Sequence, residues 1–295
     1  MTAEITMTAD VIGLTRIAPV SRRAFMSATA AAAAGYTLAA GPVRAEVVTT
    51  DTTGLQAGDA TIKVGEGEMP GYYARPAGVS RPPVVLVAME IFGLHEYIKD
   101  VTRRLAKLGA FAIAPNYYFN KGPDLTKITD TKELLPVVNA KPDAELFADL
   151  DATVAWAASQ GGDTSRLGMI GFCRGGRYVW EYAAHSDALK AAAAFYGSLV
   201  DPANPVWPKS PLQLAPEMKA PVLGLYGEAD TGISVAQVEQ MKAALEQNKK
   251  TAEFKIYKDA PHGFHADYRP SYRKVAAEDA WAQMQAWFKK HGVLS

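Results

Sequence analysis

Nine residues, Met169-Ile170-Gly171-Phe172-Cys173-Arg174-Gly175-Gly176-Arg177, restrict what this chain can become more than any other stretch. The apolar run Leu167 to Ile170 reads as a buried strand, and Arg174 to Ala184 reads as the helix after it. Between them stands Gly171-x-Cys173-x-Gly175, the spacing of a nucleophile elbow with cysteine at its centre. A strand that passes at once into a helix leaves its central residue on a strained corner, with the side chain pushed out at the carboxyl edge of the sheet. Small flanking residues are required because a Cβ there would strike the adjoining strand and helix. The same corner sets the thiol at a helix N-terminus, where the dipole favours a thiolate. Cys173 is the only cysteine of the sequence, so it has no disulfide partner within the chain. The competing reading is a small buried hydrophobe.

The remainder alternates strand and helix. Pro83 to Ala88 is a continuous apolar run of the kind covered on both sheet faces. Leu94, Tyr97, Ile98, Val101, Leu105 and Leu108 fall at helical spacing, ended by Gly109, and Phe111 to Ala114 is a strand. Asp143 to Ser159 predicts a helix, Ala191 to Tyr196 and Val222 to Tyr226 strands. A helix carrying Val235, Val238, Met241 and Leu245, a strand Glu253 to Tyr257, and a closing helix Val275 to Lys290 complete the series. Repeated βα units predict an α/β fold with a mostly parallel, doubly wound sheet and helices on both faces. Thr61 to Val64 and Gly71 to Arg75 predict a hairpin joined through Gly65-Glu66-Gly67-Glu68, and Asn116 to about Pro142 a polar loop.

Sites in such sheets lie beyond the carboxyl ends of the strands, and two further residues fall there. Asp230 follows the strand ending at Tyr226, and His262 follows the strand ending near Tyr257. The order nucleophile, acid, base fits an imidazole that takes the thiol proton and a carboxylate that orients it. Singly, Asp230 could instead cap the helix starting near Ser234, His262 could be an ordinary loop histidine, and Glu228 is the second candidate for the acid. His262, His265 and Asp267 also form a weak metal pattern, an x₂ histidine pair lacking a third strong ligand, so no metal or other cofactor is expected. Lys plus Arg equals Asp plus Glu at 31 each, which offers no charge argument for a nucleic-acid or membrane partner.

The first 45 residues read as a leader. Ser21-Arg22-Arg23-Ala24-Phe25-Met26 resembles the twin-arginine export signal, followed by an Ala-rich run from Ala28 to Ala40 and a cleavage site after Ala45. This predicts recognition by the twin-arginine export machinery and a periplasmic or secreted protein without a stable membrane anchor. Residues 46–59 are then expected to be a flexible tail, and 60–295 a single domain.

Four motifs, Met89-Glu90-Ile91-Phe92-Gly93, Gly171-Phe172-Cys173-Arg174-Gly175-Gly176, Gly227-Glu228-Ala229-Asp230 and His262-Gly263-Phe264, resemble those of the dienelactone hydrolases. The resemblance covers roughly residues 60 to 290. It implies an α/β-hydrolase fold and a Cys173–His262–Asp230 triad that opens a small lactone or ester through an acyl-enzyme. It also implies that Glu90 lies beside Cys173 and manages its proton, and a carboxylate near a thiol does oppose the thiolate. Elbow geometry names the backbone N–H groups of Arg174 and Ile91 as the oxyanion hole. The family's arginine four residues after the histidine is here Ala266, which makes Arg269, helped by Arg174 or Arg177, the candidate for contacting a substrate carboxylate and leaves a broader esterase or thioesterase equally compatible with the triad; a non-catalytic binding protein of the same fold is the reading from a different class.

Overall fold

The computed structural model describes residues 47–295, so the leader reading of 1–45 falls outside the described residues. An eight-stranded sheet runs in the order β1-β2-β4-β3-β5-β6-β7-β8. β1 (Leu55–Val64) and β2 (Gly67–Pro76) form a long antiparallel hairpin at one edge, and β2 pairs antiparallel with β4 (Phe111–Pro115). All later neighbours are parallel: β3 (Pro83–Ala88), β5 (Asp163–Phe172), β6 (Leu189–Phe195), β7 (Val222–Gly227) and β8 (Ala252–Tyr257). The helices are α1 (Glu96–Lys107), α2 (Thr131–Asn139), α3 (Asp143–Ser159), α4 (Arg174–His185), α5 (Val235–Gln247) and α6 (Lys274–Lys290). This is the expected α/β-hydrolase architecture.

Two elements depart from expectation. Residues 55–59, read as the end of a tail, belong to β1, where Leu55 pairs with Pro76 and Asp59 with Tyr72. Their polar, glycine-containing sequence is tolerated because β1 is an edge strand with little of it buried. The polar loop from Asn116 contains α2. Asp130 caps that helix by accepting from the Lys132 amide at 2.8 Å, and Leu134, Val137 and Val138 are buried despite Pro136 inside it.

Strand order explains where a site can form. The chain steps from β3 outward to β4, then returns past β3 to β5 and onward to β8. With right-handed crossovers, that reversal places helices on opposite faces and opens a crevice above the carboxyl ends of β3 and β5. Every residue of β3 is buried, as are Leu167 to Phe172 of β5, so both ends are held rigidly. Beside them, Ala191 to Ala194 are fully buried, and these small side chains let α4 sit close to the sheet.

The closest packing is at the elbow. A Cβ on Gly175 would lie 2.2 Å from the Ala88 carbonyl oxygen, and one on Gly171 would lie 2.2 Å from the Gly175 carbonyl oxygen. Both obstacles are backbone and cannot swing away. Gly175→Ala is therefore expected to cost more than about 3 kcal/mol of stability. Urea unfolding checks this: a midpoint equal to that of the parent would contradict the contact.

Candidate active site

Cys173 stands between β5 and α4 with φ 56° and ψ −117°, an uncommon conformation for a residue bearing a side chain. Neighbouring structure holds it there. Its amide donates to the Phe195 carbonyl at 3.0 Å, and its own carbonyl accepts from the Gly176 and Arg177 amides. The thiol is almost completely covered, with the residue 1% exposed.

The corner beyond β7 supplies the carboxylate. Asp230 Oδ2 lies 2.8 Å from His262 Nδ1, while Asp230 Oδ1 accepts from the Gly232 and Ile233 amides at 2.8 and 3.1 Å. Both oxygens are engaged, so the side chain cannot rotate off the imidazole. The helix beginning after Ser234 has its own cap, a capping box between Ser234 and Gln237, so Asp230 is not needed for it. Glu228, the second candidate for the acid, is exposed and accepts from the Asp259 amide at 3.3 Å.

His262 joins the two ends. Burial opposes its charged form, but the neighbouring Cys173 side chain and Asp230, which is hydrogen-bonded to the ring, outweigh that and lift its pKa to about 10. The ends of β5, β7 and β8 thus place Cys173, Asp230 and His262 at one edge of the sheet. The Tyr196 ring, at a positive φ of 39° after β6, packs against His262 with centroids 5.1 Å apart.

Glu90 is fully buried at the end of β3. Its carboxylate is turned to Tyr268, whose hydroxyl donates at 2.6 Å, to His95 Nε2 at 3.4 Å and to Arg269 Nη1 at 3.7 Å. Burial alone would raise its pKa; His95, Arg269 and Tyr268 reverse this and bring it down to about 2. Tyr268 and His95 escaped the sequence reading, since neither sits in a periodic pattern or a recognisable motif. The Glu90-x₄-His95 spacing across the turn into α1 was the available signal. Arg269 is buried against this carboxylate, with its guanidinium 4.7 Å from the Phe92 ring.

The amides named for the oxyanion hole lie on either side of the crevice. Arg174 is the first residue of α4, where first-turn amides have no intrahelical acceptor, and Ile91 follows Glu90 in the loop after β3. That loop is fixed by Tyr117, whose hydroxyl donates to the Met89 carbonyl at 2.7 Å. The weak metal pattern is dispersed: His265 Nδ1 pairs with the Tyr97 hydroxyl at 2.7 Å, and Asp267 pairs with Arg104 at 2.5 Å. Open grooves of about 480 Å³ beside Gly65 and about 460 Å³ beside His185 are lined by none of Cys173, Asp230 and His262.

Sheet order, elbow and strand-end residues define an α/β-hydrolase fold with cysteine at the strand-to-helix corner. The comparisons place it more narrowly. The sequence profile of the Dienelactone hydrolase family matches residues 69–292, and the chain belongs to that family. A protein of Methylorubrum extorquens, provisionally named carboxymethylenebutenolidase, is 48% identical over 288 residues, covering 97% of this chain and 98% of that protein. A Bradyrhizobium protein, provisionally named 2-oxo-3-(5-oxofuran-2-ylidene)propanoate lactonase, is 32% identical, covering 75% of this chain and 88% of its own. The crystal structure of a provisionally named dienelactone hydrolase from Klebsiella pneumoniae superposes with TM-score 0.78 at 46% identity, covering 80% of this chain and 99% of that one.

A folded-state pKa of about 2 against an ordinary 4.5 makes the charged Glu90 worth on the order of 3 kcal/mol. Because the value is depressed, that stability is present above pH 4.5 and is lost as pH falls toward 2. The stability gap between the parent and Glu90→Gln should therefore be widest at neutral pH and narrow across that window. Urea midpoints measured from pH 7 to pH 2 test it, and a gap independent of pH would contradict the ion-pair assignment.

Proposed function

We propose that the enzyme opens an activated lactone or ester through an acyl-enzyme on Cys173, with His262 as base and acid and Asp230 as its orienting carboxylate. The observation that carries this is His262, held at 2.8 Å by Asp230 with the Cys173 side chain close enough to act on its charge. His262 takes the thiol proton and Cys173 Sγ attacks the acyl carbon. The carbonyl oxygen gains the negative charge and is stabilised by the Arg174 and Ile91 amides, a contribution of about 3 kcal/mol per donor. Collapse breaks the C–O bond, and His262 returns its proton to the departing oxygen. In a lactone that oxygen stays on the acyl chain. Water then gives a proton to His262 and attacks the thioester. Collapse of the second tetrahedral intermediate releases the acid and restores the thiol.

Glu90 acts in this scheme from beside the nucleophile, its charge opposing the thiolate and countering Arg269. The names of the relatives support a lactone as substrate. Ala266, buried where the family carries arginine, favours a wider range that includes simple esters and thioesters. A binding protein of the same fold would not need the triad, so turnover separates the two readings. Cys173→Ala should lower hydrolysis of p-nitrophenyl acetate by at least about 10³-fold with the circular-dichroism spectrum unchanged, and Cys173→Ser should retain only weak activity. Undiminished turnover in Cys173→Ala would refute the assignment.

The leader reading stands as a further proposal, supported by the order of arginine pair, Ala-rich run and cleavage site. Replacing Arg22 and Arg23 with Lys should hold the full-length precursor in the cytoplasm. Fractionation with an immunoblot reads this, and unaltered periplasmic recovery would overturn it.

A further inference from the structure

A nucleophile must be reached, yet Cys173 is 1% exposed and the first turn of α4 beside it is buried from Arg174 to Arg177. Two walls enclose that corner. The loop after β8 is held by charged ties, His262 to Asp230 at 2.8 Å and Asp267 to Arg104 at 2.5 Å, with the Tyr268 hydroxyl on Glu90 at 2.6 Å. The other wall lies over the first turn of α4. It is built from the end of α2 and from residues 199–212, the segment that follows β6.

Residues 199–212 form one stiff piece on a narrow base. Their ends are joined, the Leu212 amide donating to the Leu199 carbonyl at 3.0 Å, which makes the segment an Ω-loop. The base is pinned where Arg177 Nε and the Ser198 hydroxyl donate to Asp201 Oδ2 at 2.9 and 2.8 Å. At the tip, Asn204 Oδ1 accepts from the Val206 and Trp207 amides at 2.9 Å each, and Pro205 and Pro208 fix φ on either side of that pair. What joins the tip to its surroundings is weaker. The Trp207 ring lies 4.3 Å from the Arg174 guanidinium and 5.2 Å from that of Arg177. Its indole N–H donates to the Lys141 carbonyl at 3.1 Å, and the Val206 carbonyl accepts from the Asp143 amide at 3.3 Å. Arg174 in turn donates to Asn139 Oδ1 at 3.2 Å. Ring contacts and uncharged hydrogen bonds cost less to break than the charged ties of the opposite wall.

Resting on the reading of Cys173 as nucleophile, we propose that residues 199–212 are a hinged roof over the thiol and that Trp207 is its latch, a positioning residue that acts through Arg174. Docked, the ring clamps the Arg174 side chain and steadies the first turn of α4, whose Arg174 amide is an oxyanion donor in the scheme above. Released, it parts the roof from Asn139 and Lys141 and opens the corner to an acyl compound. The opposite wall stays in place, because moving it would carry His262 away from the sulfur.

Cys173 is the only thiol of the chain, so its alkylation by iodoacetamide reports how often this corner opens. Trp207→Ala should raise that rate by at least about tenfold. Trp207→Phe, which keeps a ring over the guanidiniums but loses the bond to Lys141, should fall between the parent and Trp207→Ala. Opening of the roof exposes little surface, so these rates should stay nearly flat in urea below the unfolding transition, whereas exposure through global unfolding would climb steeply. With p-nitrophenyl acetate, Trp207→Ala should lower kcat by about tenfold even as the thiol reacts faster, and Trp207→Phe should restore most of it. If Trp207→Ala does not fold, Trp207→Phe and Asn139→Ala carry the alkylation measurement, each expected at about threefold or more above the parent. An alkylation rate unmoved by these replacements, a rise that follows global unfolding, or a kcat untouched by Trp207→Ala would overturn the proposal. Hydrolysis that survives Cys173→Ala would instead sink the nucleophile reading and this proposal with it, a failure that the alkylation series cannot produce.

Discussion

The backbone of Gly175 rests against the carbonyl of Ala88, and nearly everything functional in this protein depends on that contact. It joins the end of β3 to the start of α4 with no side chain between them. The residues that leave β3, Glu90 and Ile91, are thereby held beside the first turn of the helix that follows Cys173. Cys173 itself adopts φ 56° because the strand must become a helix within one residue, and the hydrogen bond to Phe195 keeps it there. Such a conformation costs on the order of 1–3 kcal/mol and persists where surrounding structure fixes it. Here the surroundings are the most buried strands of the sheet.

The loop after β8 completes the site by sending successive side chains to different anchors. His262 goes to Asp230, His265 to Tyr97, Asp267 to Arg104, and Tyr268 and Arg269 to Glu90. Each tie limits how far the His262 imidazole can drift, although only one of them involves that ring. His265 is buried, and burial with the nearby Arg104 lowers its pKa to about 3, so it stays neutral as a partner for Tyr97. Arg104 is in turn paired with Asp100, which accepts from the Thr50 amide. The N-terminal segment, α1 and the histidine loop are thus one connected network.

Much of this was legible from residues alone, for identifiable reasons. β3 and the end of β5 announce themselves as apolar runs because both faces are covered, and α3 spans Asp143–Ser159 as its periodicity predicts. Cys173, Asp230 and His262 could be singled out because each follows a strand, which reduces a problem in three dimensions to one of sequence order. Helix α2 was not found, since Pro136 and a nine-residue length weaken the pattern that Leu134, Val137 and Val138 would otherwise give. The surroundings of Glu90 were beyond reach. Tyr268 lies 178 positions from it, and their hydrogen bond results from how β3 and the last loop are stacked.

That last pairing changes how Glu90 acts. A carboxylate beside a thiol would ordinarily suppress the thiolate, and a free one would do so strongly. Tyr268, His95 and Arg269 hold Glu90 ionised, and Arg269 stands as its counter-charge. The positive charge of His262 is sustained by Asp230. Two carboxylates at one site consequently have separable tasks. One is committed to His262, while the other is committed to Arg269 and Tyr268.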